Sequence, residues 1–365
     1  MAETRTGTEA RRETKGPAPA PSMMRTGLLA IHALRGHRLA PRFLSGIGVI
    51  FMLHRVRPAS PEPFQPNRLL EVTPAFLEET IGLVKRLGYE CVDLDEAACR
   101  IESGQGKKFA VFTLDDGYRD NLTEALPVFE RCDIPFTVYL ATDLPDGTAE
   151  LWWVVLEEVI RKARQVTVEL EGIMETVPTA STEEKKAAWQ RIYWGLRKKT
   201  EKEMRTAIAG LAAKHDIPVA TITRNAAMSW DELRQLSAHP LARIEAHTAG
   251  HFALSGLSLP AARAEVERGL ARHETELGYR PRHFSYPYGD HGSAGERDFQ
   301  LIAEMGFRTA TTTRKGLIMP QHRKRMSALP RLSLNGEFQD VRMVETLLSG
   351  LPFALGKPIP SLGID

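Results

Sequence analysis

Two adjacent carboxylates at the end of an apolar run are the feature of this sequence that most clearly suggests chemistry. Residues 112–121 read FTLDDGYRDN, so Asp115 and Asp116 follow the apolar run and precede a glycine. Neighbouring side chains at a strand end diverge, so one carboxylate can bind a metal while the other accepts a proton from water. The same turn could instead only cap a helix that begins near Asp120. This motif alone leaves both interpretations open.

A pair of histidines forms the second motif. Residues 245–251 read EAHTAGH, which places His247 and His251 four positions apart at the end of another apolar run. Imidazoles at this spacing can converge on one cation, although a chain with 11 histidines contains such a pair by chance roughly 0.3 times. One Asp with two His leaves coordination positions open for water and substrate, which indicates a catalytic rather than a structural metal site.

Two further motifs follow apolar runs. Residues 283–290 read HFSYPYGD, and this turn, with Tyr286 and Tyr288, could line a groove or present a backbone N–H to a developing oxyanion. His54 directly follows the apolar residues 46–53. A lone histidine at a strand end is more often a hydrogen-bonded structural residue than a catalyst, so its role also stays open.

The alternation of apolar and helical segments predicts parallel βα units with about seven or eight strands. Strands are expected at residues 46–53, 109–114, 135–141, 242–246, 283–286, 308–313 and 329–334, and helical spacing appears at 74–88, 120–132, 260–277 and 296–305. In a parallel α/β barrel the carboxyl ends of the strands form the active face, and the four motifs all follow expected strands. A length of 365 residues suits such a barrel with attachments.

The alternation lapses at about residues 144–227, which we interpret as a mainly helical insertion. Helical stretches at 151–163 and 183–216 surround an expected β excursion at 166–177. Four of the five tryptophans lie here, at positions 152, 153, 189 and 194. They could stack on sugar rings if exposed, but anchoring the core of the insertion is the favoured interpretation.

In this order, the D-D-G, H-T-x-x-H and Y-P-Y-G motifs resemble those of the NodB-type polysaccharide deacetylases, a family of metal-dependent sugar N-deacetylases. The resemblance covers roughly residues 46–335 apart from the insertion. It implies a distorted (β/α)7 barrel, with Asp115 as the general base. It also implies that Asp116, His247 and His251 hold a divalent metal, most often zinc.

The sequence departs from the family pattern at two places. Many members carry an arginine in the third motif where this chain has Ser285, and Arg280 or Arg282 is the expected substitute. Many also take their acid from a late histidine, but residues 329–334 read LPRLSL. The segment around His54 resembles a branch that includes biofilm poly-N-acetylglucosamine deacetylases, in which an N-terminal histidine serves as the acid. His54 is therefore the expected acid, with His291 as the alternative.

The resemblance implies a hydrolase that removes N-acetyl groups from an amino sugar in an oligosaccharide, polysaccharide or glycolipid precursor, giving acetate and a free amine. The loop of Tyr286 and Tyr288 would contact substrate and supply the oxyanion-binding N–H. Two alternatives remain: an O-acetyl esterase of the same fold and a glycan-binding barrel without turnover. Retention of both Asp115 and Asp116 argues against the second, because metal binding needs only one of them.

The composition limits which classes of partner and which cellular compartment we expect. The net charge of +2 gives no global reason to expect nucleic-acid binding, and Cys91, Cys99 and Cys132 fit neither a disulfide framework nor a metal knuckle. Residues 1–22 lack large apolar side chains and are expected to be a disordered tail. We expect a cytoplasmic protein, because no clean signal sequence or bilayer-length apolar run is present.

The region that follows the tail is basic. No Asp or Glu occurs between Glu13 and Glu62, and arginines at positions 25, 35, 38 and 42 flank the weakly amphipathic residues 28–34. This stretch could contact an anionic membrane weakly, although a solvated basic helix is the favoured interpretation.

Overall fold

Seven parallel strands close into a barrel in the computed structural model, which describes residues 23–355. The tail expected at residues 1–22 lies outside that range. In chain order the barrel strands are β1 (Gly48–Leu53), β2 (Phe109–Asp116), β3 (Phe136–Leu140), β4 (Ala242–Ala246), β5 (His283–Ser285), β6 (Thr309–Lys315) and β7 (Leu329–Ser333). Each pairs in parallel with its neighbours in the sequence, and β1 closes the barrel by pairing with both β2 and β7.

The strands are buried on both faces, as parallel strands covered by helices must be. Alternate residues of β2 point in opposite directions: Phe112 and Leu114 pack in the cluster that contains Phe76 and Leu77 of a surrounding helix. Phe109 and Val111 pack in a separate, inner cluster. The inner positions of β2 continue to Thr113 and Asp115, so the period of two carries a carboxylate to the end of the barrel interior.

Helices follow most of the strands and cover the barrel. They span Pro74–Arg86, Leu94–Ser103, Leu126–Cys132, Trp230–Ser237, Leu259–Leu277, Glu296–Glu304 and Val341–Leu348. The first begins where the Thr73 side chain accepts the Phe76 N–H and Pro74 occupies the first turn. None of the helices in the described part of the chain is long and apolar enough to cross a bilayer.

Short elements complete this framework. Helices span Met23–Ala33, Gly36–Leu39 and Leu351–Ala354, and 3-10 turns span Arg42–Ser45, Pro66–Leu70, Leu254–Gly256, Pro320–Lys324 and Met326–Ala328. The two-residue strands Arg55–Val56 and Glu71–Val72 pair with each other, and Glu90–Cys91 pairs with β2. Near the chain's ends, His32 and His37 stack on each other and approach the Glu345 carboxylate at 3.2 and 3.4 Å.

The segment between β3 and β4 forms a helical layer with one hairpin. Its helices span Asp143–Asp146, Trp152–Lys162, Thr182–Arg197, Glu201–Lys214 and Val219–Ala226. The antiparallel strands Gln165–Leu170 and Ile173–Pro178 occupy the expected β excursion. Trp152, Trp153 and Trp189 are buried in an apolar cluster that the segment shares with Leu70 and Tyr118 of the barrel loops, and Trp194 packs beside it, which confirms the core-anchor interpretation.

One predicted helix differs in form. The expected helix at residues 120–132 opens as a wider π-helical turn, Asn121–Ala125, and continues as the α-helix Leu126–Cys132. Pro127 has no N–H with which to continue the α-helical pattern through this region. Asp120 does not cap the helix; its carboxylate instead accepts the Val56 N–H at 3.0 Å and the Arg55 Nε–H at 2.8 Å.

Candidate active site

The adjacent carboxylates Asp115 and Asp116 lie at the carboxyl end of β2, and both are 2% exposed. Asp115 keeps the inward direction of its strand. Asp116 has φ 75°, a left-handed conformation that is uncommon for a residue with a Cβ. The change of backbone conformation separates the surroundings of the two side chains, which allows them to perform different tasks.

Arg331 of β7 holds Asp115 from inside the barrel. Its Nη1 donates to Asp115 Oδ1 at 2.8 Å and its Nη2 to Asp115 Oδ2 at 2.6 Å. Nη2 also donates to Ser285 Oγ at 3.0 Å, while Nε donates to the Thr312 carbonyl at 3.0 Å. Arg331 is fully buried, so a fixed, bidentate charge pair orients this carboxylate.

The expectation that Arg280 or Arg282 pairs with Asp115 is therefore wrong. Arg280 is exposed, and the Arg282 guanidinium pairs with Asp95 at 2.9 Å. Inward positions of β7 alternate, which directs Arg331 into the barrel where Ser285 leaves room for it. The strand that lacks the late histidine thus provides the arginine.

His247 and His251 approach Asp116 from the loop after β4. Their Nε2 atoms lie 3.4 and 3.2 Å from Asp116 Oδ1, and the ligand atoms of the three residues lie within 4.8 Å of one another. His247 Nδ1 donates to the Ser285 carbonyl at 2.7 Å, which leaves its Nε2 lone pair facing Asp116. Thr248 (φ 62°) and His251 (φ 60°) are both left-handed, a cost that recurs where function fixes the backbone.

These three residues fit a divalent metal. Asp116 Oδ1 is buried without a hydrogen-bond partner, although it faces two imidazole nitrogens. Separations of 3.2 and 3.4 Å match the distance of about 3.4 Å between two ligands in a tetrahedron with bonds of about 2.1 Å. One carboxylate and two imidazoles are a donor set of catalytic zinc sites, where further positions stay open.

Charge and burial shift the pKa values of these groups in opposite directions. Burial raises the pKa of Asp115, but the charge and hydrogen bonds of Arg331 outweigh it and hold the pKa below its ordinary value. Burial likewise raises the pKa of Asp116, and the neighbouring His251 and His247 bring it well below the ordinary range. Burial lowers the pKa of His251 to about 4 against the attraction of Asp116. Both carboxylates are therefore ionised and His251 is neutral at neutral pH.

His54 follows β1 and lines the same cavity as the two carboxylates and the two histidines. Burial lowers its pKa, Asp116 and Asp115 raise it, and Arg331 lowers it further, with a net decrease. Its backbone is fixed because Asn121 Nδ2 donates to the His54 carbonyl at 2.8 Å. The alternative acid, His291, is exposed in a turn and does not line the cavity.

The two tyrosines of the third motif are placed differently. Tyr288, with φ 62°, lines the cavity, and its ring lies 4.7 Å from the His251 ring. Tyr286 does not line it; its ring packs against Phe284 and Phe299, and its hydroxyl donates to the Ser327 carbonyl at 2.8 Å. Of these two residues, the structure brings only Tyr288 to the cavity.

Sequence reasoning missed residues that shape the cavity from other elements. Asn67, Tyr193 and Thr313 line it, although none belongs to the four motifs, and Trp153 lines it as one of the tryptophans considered for sugar stacking. Gly269 lies against the loop that carries His247 and His251: a Cβ there would approach the Thr248 carbonyl carbon and oxygen to 2.9 Å. A charged residue at an inward position of an apolar strand was a signal for Arg331, whereas no local pattern marks the others.

Comparison with known proteins supports one family. The family model described as polysaccharide deacetylase matches residues 102–310, more than half of the chain. No protein of curated function matches significantly.

Several solved structures share the fold. The Streptococcus pyogenes deacetylase PplD in complex with acetate is 15% identical, with TM-score 0.54 over 82% of this chain and 96% of that one. IcaB from Ammonifex degensii is 16% identical, with TM-score 0.50 over 83% and 97%. BC0361, a polysaccharide deacetylase from Bacillus cereus, is 15% identical, with TM-score 0.50 over 82% and 68%. The family match, on a seven-stranded parallel barrel whose strand ends carry these residues, shows that the chain belongs to the polysaccharide deacetylase family of hydrolases.

Proposed function

We propose that the chain is a metal-dependent N-deacetylase that hydrolyses the acetamide of an amino sugar to acetate and a free amine. The observation that carries the proposal is the division of labour between adjacent carboxylates. Asp115 is held by Arg331, whereas Asp116 faces two imidazole nitrogens. A glycan-binding barrel without turnover would need only the second of these arrangements.

Asp116, His247 and His251 would hold the metal, and zinc suits this donor set. When bound, the ion supplies Lewis-acid polarisation of the acetamide carbonyl and acidification of water. His247 and His251 offer neutral imidazoles, and the hydrogen bond from His247 Nδ1 to Ser285 fixes the orientation of its ring.

Asp115 acts as the general base. Each of its oxygens accepts one hydrogen bond from Arg331, and Oδ2 also accepts the Ser285 hydroxyl at 3.4 Å. Oδ1 keeps a further lone pair, with which the carboxylate accepts a proton from the attacking water. The guanidinium weakens Asp115 as a base, but it keeps the carboxylate ionised in a buried site and fixes its direction. Arg331 is thus a positioning residue.

The imidazolium form of His54 provides the proton that the leaving nitrogen needs, because an amide nitrogen departs poorly as an anion. The lowered pKa of His54 makes that form a stronger acid. Its place in the cavity with both carboxylates supports this role. The backbone N–H of Tyr288 binds the developing oxyanion. The Tyr288 side chain supports that position, because its hydroxyl accepts the Trp152 Nε1–H at 2.9 Å and Arg197 stacks on its ring at 3.5 Å.

The test compares matched N-acetyl and O-acetyl sugars with zinc-loaded protein. The proposal expects acetate from the N-acetyl sugar, with a loss of at least about 100-fold for His54→Ala, the lower range for general acid–base catalysis. His291→Ala is the matched control and should keep activity, because His291 is exposed away from the cavity. Acetate from the O-acetyl sugar alone would contradict the amide assignment, and equal loss in both variants would contradict the acid assignment.

We also propose weak contact between the N-terminal region and an anionic membrane. Leu34, Leu39 and Phe43 are 80%, 83% and 72% exposed. The exposed arginines among them are residues 35, 38 and 42, so one short surface combines apolar and basic groups. Such a surface inserts apolar side chains while its cations pair with lipid phosphates.

Co-sedimentation with phosphatidylcholine vesicles, with and without phosphatidylserine, tests this contact. We expect binding only to the anionic vesicles at low salt, and a decrease for Leu39→Ser and at 0.5 M salt. Exposed Ile173 in the distant hairpin turn offers a matched apolar control, Ile173→Ser. Failure to sediment with anionic vesicles at low salt would contradict the contact.

A further inference from the structure

The segment between β3 and β4 lies over the catalytic cavity. Trp153 of helix Trp152–Lys162 and Tyr193 of helix Thr182–Arg197 line that cavity together with the catalytic residues. The Trp153 ring lies 5.0 Å from the His251 ring. These two aromatic side chains cover the cavity. We call the helices Trp152–Lys162, Thr182–Arg197 and Glu201–Lys214 the roof.

Polar contacts attach the roof to the barrel loops near β1 and β2. Asn67 Nδ2, in the loop after β1, donates to the Trp153 carbonyl at 3.1 Å and to Glu157 Oε2 at 2.7 Å. Trp153 Nε1 donates to the hydroxyl of Tyr118, in the loop after β2, at 2.8 Å. Asn67 and Tyr118 are buried, so these bonds hold strongly against exchange with water.

The other side of the roof is attached to the loops after β4 and β5. Arg205 Nη2 donates to the Gly250 carbonyl at 2.7 Å, and its guanidinium lies over the Phe252 ring. Arg197 Nη2 donates to Ser293 Oγ at 3.0 Å. Gly250 directly precedes His251, so the roof is fixed to the loop that would hold the metal.

The cavity below the roof is lined by side chains of the roof and of the loops after β1 and β4. The interior of a polymer must enter an active site on one side and leave on another. Hydrogen bonds to the loops of β1, β2, β4 and β5 bridge the sides on which such a chain would pass. The attached loops therefore favour a sugar that enters from one end.

The lining also indicates the charge of the ligand. It contains the aromatic Trp153, Tyr193 and Tyr288, with apolar side chains from Met52 and Leu70. Aromatic faces pack well against the C–H faces of sugar rings. No lysine or arginine lines this cavity among the described residues, so apart from the proposed metal it offers no cation to a phosphate or carboxylate on the sugar.

We infer that the roofed cavity takes a single uncharged N-acetylated hexosamine, either free or at the end of a glycan, and excludes internal residues of a polymer. This inference rests on the proposed deacetylase function, because it names the substrate class of the same site. The inference gives the insertion the role of selecting the terminal sugar of a glycan.

The experiment measures kcat/KM for acetate release from N-acetylglucosamine and its di-, tetra- and hexasaccharides with zinc-loaded protein, and locates the deacetylated residue by mass spectrometry. We expect less than a threefold change from the disaccharide to the hexasaccharide, and one acetyl group lost, from a terminal residue. A rise of tenfold or more over that range, or deacetylation of internal residues, would overturn the inference and leave the proposed function standing. Absence of acetate from every substrate would overturn both.

Two variants, one in the roof and one at its attachment, test whether the roof causes the preference for a terminal sugar. Trp153→Ala should raise the hexasaccharide-to-monosaccharide ratio of kcat/KM at least fivefold by opening the roof. Trp194→Ala is the matched control, because Trp194 belongs to the same segment, bonds to Gln190 and does not line the cavity. Asn67→Ala releases one attachment and should move the ratio in the same direction even if Trp153→Ala fails to fold. An unchanged ratio in Asn67→Ala and in every folded Trp153 variant would overturn the role of the roof.

Discussion

Replacing Arg331 by methionine should destabilise the protein strongly, because it leaves the Asp115 carboxylate buried without its counter-charge. The two side chains are 0% and 2% exposed, and two hydrogen bonds join them at 2.8 and 2.6 Å. Methionine keeps the length and apolar character of the side chain but removes the charge and all the donors. The substitution therefore isolates the pair more cleanly than truncation to alanine, which would also open a cavity.

The expected cost is about 3–5 kcal/mol of unfolding free energy, the range for breaking a buried pair by removing one partner. Asp115→Asn should cost a similar amount, because it leaves the guanidinium unpaired. The double variant removes both charges, so its cost should fall below the sum of the single costs by at least about 2 kcal/mol. Arg331→Lys keeps the charge but loses the bidentate geometry and should fall between the wild type and Arg331→Met.

Urea unfolding of the four variants, in the presence of a chelator, measures this coupling without a contribution from metal binding. Arg263→Met is the matched control. Arg263 pairs with Glu304 at 3.0 Å, but the two side chains are 40% and 66% exposed, so the expected cost is below about 1 kcal/mol. Additive costs in the double variant, or an Arg331→Met cost no larger than that of the control, would contradict a stabilising buried pair of Asp115 and Arg331.

Three further predictions follow from the same geometry. Asp116→Asn should remove the tightly bound zinc equivalent measured by metal analysis after dialysis, whereas Glu345→Gln in the His–Glu group near the chain ends should keep it; loss in both variants would contradict the assignment. Gly269→Ala should weaken zinc binding and cost about 1–3 kcal/mol because its Cβ meets the Thr248 backbone, whereas Gly210→Ala, with open space around its Cβ, should be neutral or stabilising in thermal unfolding. Burial lowers the pKa of His283 to about 4, so the unfolded chain binds a proton below about pH 6.5 while the folded one does not, and stability should fall by up to about 3 kcal/mol between pH 6.5 and 4. Urea unfolding of His283→Gln should show a smaller loss over that interval, and an identical pH profile would contradict the linkage.

The barrel strands were predictable because their burial on both faces leaves a continuous apolar run in the sequence. The runs at 46–53 and 135–141 were predicted as strands and contain β1 and β3, and the apolar run at 109–114 extends to Asp116 in β2. The carboxylate and histidine motifs were predictable as neighbours, because strand ends of a parallel barrel share one face. What the local pattern could not provide was the backbone conformation. Asp116, His251 and Tyr288 are left-handed without being glycine, and only their surroundings impose that.

Contacts between distant parts of the chain were the other limit. Asp115 and Arg331 are 216 positions apart, and their pairing depends on the register of strands that meet only when the barrel closes. The helices of the insertion were visible as periodic patterns. Their attachment through Asn67 and Arg205 was not, because single polar contacts leave no periodic signal in the sequence.

Acetate release from N-acetylglucosamine and its oligomers, measured together with bound zinc in the wild type and in Asp115→Asn, tests the deacetylase assignment itself. Asp115 does not belong to the group that would hold the metal, so the variant should keep its zinc. We expect acetate from the wild type and a loss of at least about 100-fold in the zinc-loaded variant. Undiminished release by Asp115→Asn, or a zinc-loaded wild type that releases no acetate from any of these sugars, would contradict the assignment.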